Sequence, residues 1–332
     1  MKAVVIEKFG HRGFSSIKDV PQPTPGQGEL LIQVKAAPIN FVDSLVFAGT
    51  YQFLPELPFT PGKGPTGVVI EVGEGVTDFA CGDRVLAMAE HGGYAELALV
   101  KAQNTYHIPK NVSFEASAAI SLAYDTAWFS LIERGRCQPG EVVLVLGASG
   151  AVGGATVQLA KAKGAKVLAA VSSKQQAEEL LALGADSIVD LSQPNLENSL
   201  REQVFLETNG EGADVVIDPL GGNPFEAAIR AVAWRGRYVV VGFAAGRIPK
   251  LKINYVLLKN IEISGIQISD YRKRCPEMVR EAMTEIFELA SNGEIKLPTC
   301  SRLPLSEYVN GLQLITERKA KGRVVLIPSG DD

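Results

Sequence analysis

Two textures of apolar patterning divide the chain. From Val142 onward, runs of β-branched and small apolar residues alternate with stretches of helical period. Val142–Leu146 opens the series, and Lys166–Val171, Ser187–Leu191, Asp214–Asp218, Arg237–Gly242 and Ile261–Ile268 continue it as strands. Helices are expected over Lys174–Leu183, Leu196 to about Thr208, and Pro224–Val232. Strands this uniformly apolar, alternating with helices, imply a doubly wound parallel sheet covered on both faces, an α/β unit. Residues 1 to about 120 differ. Short β-runs at Lys2–Ile6, Leu30–Ala36, Gly67–Val72 and Tyr94–Val100 are separated by Pro- and Gly-rich turns such as Pro21–Gly26. That pattern predicts a compact, largely antiparallel β domain. Helical runs at Pro276–Asn292 and Ser306–Arg318 and a last strand, Gly322–Ile327, close the chain. The expected organisation is a β-rich domain over 1–121 completed by 270–332, with the α/β domain, 122–269, inserted.

The turn after the first α/β strand carries candidate chemistry. Ala148, Ser149, Gly150, Ala151, Val152 and Gly153 follow the strand and lead into a helix, with Ala148, Gly150 and Gly153 at the positions of G-x-G-x-x-G. Small residues there allow a tight turn, close approach of a pyrophosphate, and close helix–strand packing. The helix N-terminus then offers unsatisfied N–H groups to the anion. An NAD site usually ends the second strand in Asp or Glu; here the chain runs Val171, Ser172, Ser173, Lys174, with no acid until Glu178. Two hydroxyls and an ammonium suit a 2′-phosphate, so NADPH is the expected cofactor. The alternative is that Lys174 is only the solvated first turn of a helix, slightly unfavourable against the dipole.

Composition narrows the class without naming a function. The 332 residues allow two substantial cores, and 46% hydrophobic with 21% charged residues is ordinary for a globular chain. A net charge of −4 gives no electrostatic footprint for nucleic acid, and no stretch reads as a membrane span. Met1–Lys8 reads as a strand rather than a signal peptide, and the four cysteines are scattered, so a cytoplasmic location is expected.

Further motifs carry a resemblance: Lys2-Ala3, PINFVDSLVFAGTY (Pro38–Tyr51), GDRV (Gly82–Val85), GGYAE (Gly92–Glu96), VVVGFAAGRIPK (Val239–Lys250) and KGRVVLIP (Lys321–Pro328). In this order they resemble the medium-chain dehydrogenase/reductase superfamily, in its zinc-free, zeta-crystallin-like branch of NADPH:quinone oxidoreductases. The resemblance implies a GroES-like catalytic domain plus a Rossmann domain, with the active site in the cleft against the nucleotide domain. The positions that resemble the first two zinc ligands of the family's alcohol dehydrogenases carry Asn40 and Lys63. An amide and an ammonium make no zinc site. GDRV also runs directly to GGYAE, without a four-cysteine lobe, and none of His11, His91 and His107 pairs with a nearby cysteine. No metal is expected.

Without a Lewis acid, the fitting substrate is a small electrophile already activated by conjugation, a quinone or an α,β-unsaturated carbonyl. By resemblance, Asn40, Asp43 and Tyr51 line the catalytic cleft: Asn40 orients substrate or nicotinamide, Tyr51 donates to the substrate oxygen, and Asp43 fixes the loop. Turn capping is the competing role for Asn40 and Asp43, and packing for Tyr51. Also by resemblance, Thr126, Gly242 and Phe243 meet the nicotinamide end, and Lys321 with Arg323 forms a basic pair reaching the cleft. Three positions depart from the family: Leu191 where a tyrosine supports the 2′-phosphate, Gln176 in place of a lysine, and Gly64 in place of an acid. Two other functions stay open. One is enoyl-thioester reduction, with Arg272, Lys273 and Arg274 receiving coenzyme A phosphates or standing as a solvated charge run. The other is NADPH binding without turnover. The apolar sixth strand would form a sheet edge, and pairing across it predicts a homodimer.

Overall fold

The computed structural model describes residues 1–10 and 14–328, and the backbone but not the side chain of Lys174. His11 lies outside the described residues. The chain forms two compact units, one of residues 1–122, 272–291 and 297–332, the other of 123–271 and 292–296. Residues 292–296 thus pack with the second unit. The Lys296 N–H donates to Gln158 Oε1 at 2.6 Å, and its ammonium to the Ala182 carbonyl at 2.5 Å.

The first unit begins with the hairpin β1 (Lys2–Ile6) and β2 (Ser15–Asp19). Next come β3 (Glu29–Ile39), helix α1 (Phe41–Ala48), β4 (Thr66–Val72), β5 (Arg84–Ala87), β6 (Leu97–Lys101), β7 (Thr105–His107) and helix α2 (Phe114–Trp128). β3 is the hub. One edge pairs with β4, while on the other edge its first half pairs with β6. Leu30, Leu31, Ile32, Val34, Ala36 and Ala37 are all fully buried, so β3 is covered on both faces and its apolar run does not alternate.

α2 leads into the second unit, continued over Phe129–Arg134 by a wider π-type turn. The strands are β8 (Val142–Leu146), β9 (Lys166–Val171), β10 (Ser187–Asp190), β11 (Ala213–Asp218), β12 (Val232–Val240) and β13 (Glu262–Gly265). They form one parallel sheet in the order β10-β9-β8-β11-β12-β13. Between them lie α3 (Ala151–Ala162), α4 (Ala177–Ala182), α5 (Leu196–Glu207), α6 (Gly222–Ala228) and α7 (Asn254–Lys259). The chain closes with α8 (Ile268–Arg274), α9 (Pro276–Ser291), β14 (Cys300–Pro304), α10 (Tyr308–Thr316) and β15 (Arg323–Ile327). β15 enters the first unit's sheet between β14, to which it is parallel, and β3, which it meets antiparallel.

Several boundaries differ from the sequence reading, three of them instructively. The sixth strand stops at Gly265 rather than Ile268, because Ile268 opens α8. β12 begins five residues early, and its Trp234–Arg235 corner, with Arg235 at φ 62°, breaks the apolar run that marks the strand. The stretch from Lys174 starts as a 3₁₀ turn and becomes α-helical only at Ala177. No helix among the described residues is long and apolar enough to cross a membrane.

Candidate functional site

The candidate residues fall into two groups, one within each unit. In the first, Asn40 is the N-cap of α1 and Asp43 its third residue. The Asp43 carboxylate accepts from the Asn40 N–H at 2.7 Å, and Gly49 ends the helix in the left-handed region, at φ 72°. These start and stop signals were present in the sequence, although the segment was recognised there as a motif and not as a helix. Asp43 also accepts from the Tyr94 hydroxyl at 3.1 Å. Burial pushes the Asp43 carboxyl up to about 6, against the pull of the Asn40 N–H, the Lys63 ammonium, Tyr94 and Arg323. Tyr94, expected to open a strand, instead precedes β6 as a fully buried support of α1.

Arg323, the first residue of β15, donates from Nη2 to Asn40 Oδ1 at 2.7 Å. Asn40 is 6% exposed, and its Nδ2 is buried without a hydrogen-bond partner among the described residues. A buried amide N–H left unpaired costs roughly 1–3 kcal/mol, which marks Nδ2 as a donor held for something else. Lys321, the other member of the basic pair, is exposed before the turn at Gly322.

Lys63 lies in the turn Pro61-Gly62-Lys63-Gly64-Pro65 and is buried, its ammonium bound to Glu90. The other Glu90 oxygen accepts from Arg272 at 3.0 Å. Arg272 is buried, which corrects the reading of Arg272–Arg274 as a solvated run or a phosphate receptor: the guanidinium is committed to Glu90, and only Lys273 and Arg274 are exposed. The Lys63 ammonium also sits 5.2 Å from the centroid of the Tyr51 ring. Gly64 stands at φ 67°, and a Cβ there would meet Ser121 Oγ at 2.6 Å, so the family's acid has no room at this position. His91 meets Phe59 edge-on, and burial lowers its pKa; His107 is exposed and stacks on Phe79.

In the second unit, β8 turns into α3 through Gly147–Gly150. The left-handed residue is Gly147, at φ 59°, and not Ala148, which is fully buried and continues the β8–β9 ladder through its N–H to the Ala170 carbonyl. The small-residue spacing is therefore Gly147, Gly150, Gly153. A Cβ on Gly153 would lie 2.3 Å from the Gly147 carbonyl oxygen and 2.7 Å from Ala148 Cα, so only glycine allows α3 this close to the turn. Ser149 and Gly150 are exposed at the N-terminus of α3, with Ala151 and Val152 half-buried in its first turn. Ser172 is exposed and Ser173 half-buried beyond β9. An acid not considered from the sequence, Asp190, ends β10 opposite Val171. Its carboxylate is turned onto its own loop, accepting from the Ser192 N–H, the Ser192 hydroxyl and Gln193 Nε2 at 2.6–2.8 Å. Thr126 on α2 donates to Asp125 and, through its carbonyl, accepts from the Ser130 hydroxyl at 2.6 Å. Gly242 follows β12, and the Phe243 ring packs against Gly221. The two groups differ in chemistry: one has a buried amide donor and a buried ammonium that faces an aromatic ring, the other a glycine cradle with exposed hydroxyls.

Comparison with known proteins covers both units. Residues 26–110 match the alcohol dehydrogenase GroES-like domain, and residues 151–285 match the zinc-binding dehydrogenase family. A quinone oxidoreductase-like protein 2 homolog from Nematostella vectensis is 36% identical over 304 residues, 91% of this chain and 82% of the relative. The crystal structure of a quinone oxidoreductase from Pseudomonas syringae pv. Tomato aligns with TM-score 0.90 and 28% identity, covering 98% of this chain and 99% of that one. Escherichia coli quinone oxidoreductase, solved in complex with NADPH, aligns with TM-score 0.90 and 27% identity over 99% and 100% of the chains. A GroES-like β unit, a doubly wound parallel sheet entered through a glycine cradle, and relatives matched over nearly their whole length place this chain in the medium-chain dehydrogenase/reductase superfamily, among the enzymes of its quinone oxidoreductase-like branch.

Proposed function

We propose that this chain is an NADPH-dependent reductase of acceptors activated by conjugation, quinones or α,β-unsaturated carbonyls. The observation that carries the reading is Asn40: its oxygen is taken by Arg323 and its Nδ2 is buried without a partner among the described residues, while the Lys63 ammonium acts on the Asp43 carboxyl of the same helix. The first unit therefore offers donors to an oxygen that gains negative charge, which suits an acceptor whose own conjugation has already polarised it. The second unit fits the cofactor. The first-turn N–H groups over Ser149–Gly153 would hold the pyrophosphate, Ser172, Ser173 and Lys174 the 2′-phosphate, and Thr126, Gly242 and Phe243 the nicotinamide end. NADPH, when bound, supplies the hydride. The chain's own residues orient and polarise: Asn40 donates through Nδ2, Tyr51 donates a proton to the acceptor oxygen, and Asp43 holds α1 in register beneath them.

We also propose a homodimer. Ile248, Ile253, Leu257 and Leu258 are each 70% exposed or more, in the segment that leads into the edge strand β13, and an edge strand with so much exposed apolar surface before it calls for a second copy. The test of the reaction is NADPH oxidation, with a chelator present, against a quinone, a conjugated enal and a crotonyl thioester in parallel. Turnover of the quinone or enal supports the reading, and Tyr51→Phe should lower kcat more than it weakens NADPH binding. Preference for the thioester, or NADPH binding without turnover of any acceptor, overturns it.

A further inference from the structure

Lys63 is held more firmly than a loop lysine needs to be. The glycines on either side of it stand at φ 100° and 67°, and a Cβ on Gly62 would lie 2.2 Å from the Tyr94 ring. The same turn is fastened to the segment 89–94 by three backbone bonds: Gly64 N–H to Ala89 O, Gly93 N–H to Gly62 O, and Tyr94 N–H to Pro61 O, at 2.9–3.1 Å. Glu90, the partner of Lys63, comes from that second segment. Held so, the Lys63 ammonium lies 5.2 Å from the centroid of the Tyr51 ring.

A buried cation needs a partner, because an uncompensated interior charge is expensive. Lys63 and Arg272 are both buried, and both bind Glu90. The Lys63 ammonium also acts on the buried Asp43 carboxyl.

We propose that Lys63 is a positioning residue of the reduction: its ammonium, fixed against the Tyr51 ring by Glu90 and Arg272, aligns that ring and offsets the negative charge Tyr51 acquires when it gives up its proton. The proposal rests on the reading of Tyr51 as proton donor to a conjugated acceptor. The acceptor gains a hydride at carbon, supplied by bound NADPH, while its π-electron pair moves to oxygen. That oxygen takes the proton of the Tyr51 hydroxyl, and water then reprotonates Tyr51. Between the two proton transfers Tyr51 is anionic, and Lys63 is the cation that faces its ring, an arrangement that strengthens as the ring becomes negative.

The experiment is a double-mutant cycle on the full chain with NADPH and 2-methyl-1,4-naphthoquinone. Lys63→Met should lower kcat by about tenfold while leaving KM for both substrates within about twofold, and Lys63→Arg should restore most of the loss. In a Tyr51→Phe background, Lys63→Met should change kcat by less than about twofold, since the residue through which it acts is gone. If Lys63→Met does not fold, judged by NADPH binding and thermal unfolding, Lys63→Gln takes its place, keeping a donor to Glu90 without the charge. An equal loss in both backgrounds, or unchanged kcat, overturns the proposal while leaving the reductase reading intact. A wild-type chain that reduces no acceptor overturns both.

Discussion

Arg323 Nη2 donates to Asn40 Oδ1 at 2.7 Å, and this one bond decides which end of the Asn40 amide can meet a substrate. With the oxygen taken, the group left over is the buried Nδ2 donor. Asn40→Asp keeps an oxygen for Arg323 and turns the donor into a second, acidic oxygen. Turnover with a quinone should fall by about a hundredfold, the usual cost of removing one donor to a developing oxyanion, while the thermal midpoint holds. Steady-state rates beside a melting curve decide it, and unchanged turnover removes Asn40 from the reaction.

Asp43 gives the fold a pH signature. Its carboxyl rises from the ordinary 3.8 to about 6 in the folded chain, chiefly through burial. Between those values the folded chain holds a proton that the unfolded chain has released, so this group's contribution to stability falls as pH rises from about 4 to 6. The span corresponds to no more than about 3 kcal/mol. Asp43→Asn, which still accepts from Tyr94 and the Asn40 N–H, should flatten that part of a denaturant-midpoint-against-pH curve. An identical slope in the variant would contradict the assignment.

Gly153→Ala places a methyl against the backbone of Gly147 and Ala148, neither of which can step aside as a flexible side chain would. α3 must move away from its turn, at a cost of roughly 1–3 kcal/mol. NADPH titrated by fluorescence should bind at least about tenfold more weakly. Wild-type affinity would mean that the phosphates lie elsewhere.

Ser172 sits exposed beyond β9 with no acid before Glu178. Ser172→Asp adds a carboxylate that repels a 2′-phosphate and suits a 2′-hydroxyl. The ratio of kcat/KM for NADPH over NADH should drop by about tenfold or more. No change in that ratio argues that the 2′-phosphate is not read here.

Leu257 and Leu258 are 78% and 70% exposed on α7. Changing both to Glu should convert a dimer to a monomer in sedimentation or sizing at micromolar concentration, with NADPH binding retained. A wild-type chain already monomeric rejects the paired sheet edge.

Strands were legible where apolar runs are continuous: Lys2–Ile6 and Lys166–Val171 form over the residues their pattern marks. The same rule overran the sixth strand, because Ile266 and Ile268 prolong the apolar run past the point where the backbone has turned into a helix. β14 (CSRLP) has no period of its own and exists because β15 lies alongside it. The site shows the limit more clearly. Asn40, Asp43 and Arg323 could be singled out by motif, but their partnerships could not, since Asn40–Arg323, Asp43–Tyr94 and Lys63–Glu90 span 283, 51 and 27 positions. Nothing local in Tyr94 or Glu90 marks them as supports. Only the sheet that brings β3, β15 and the 89–94 segment together does so.

β15 is an interior strand of its sheet and follows every other strand of that sheet in the sequence. While the ribosome is still adding α10, β3 has its first-half neighbours β4 and β6 but an open edge at Ala37–Ile39, and the amide of Asn40 lacks the donor that takes its oxygen. The arrival of Arg323–Ile327 closes the edge and sets the amide in one event. Closure of this sheet and the setting of the Asn40 amide therefore coincide, so that a chain lacking β15 carries an open sheet edge and an unset amide together.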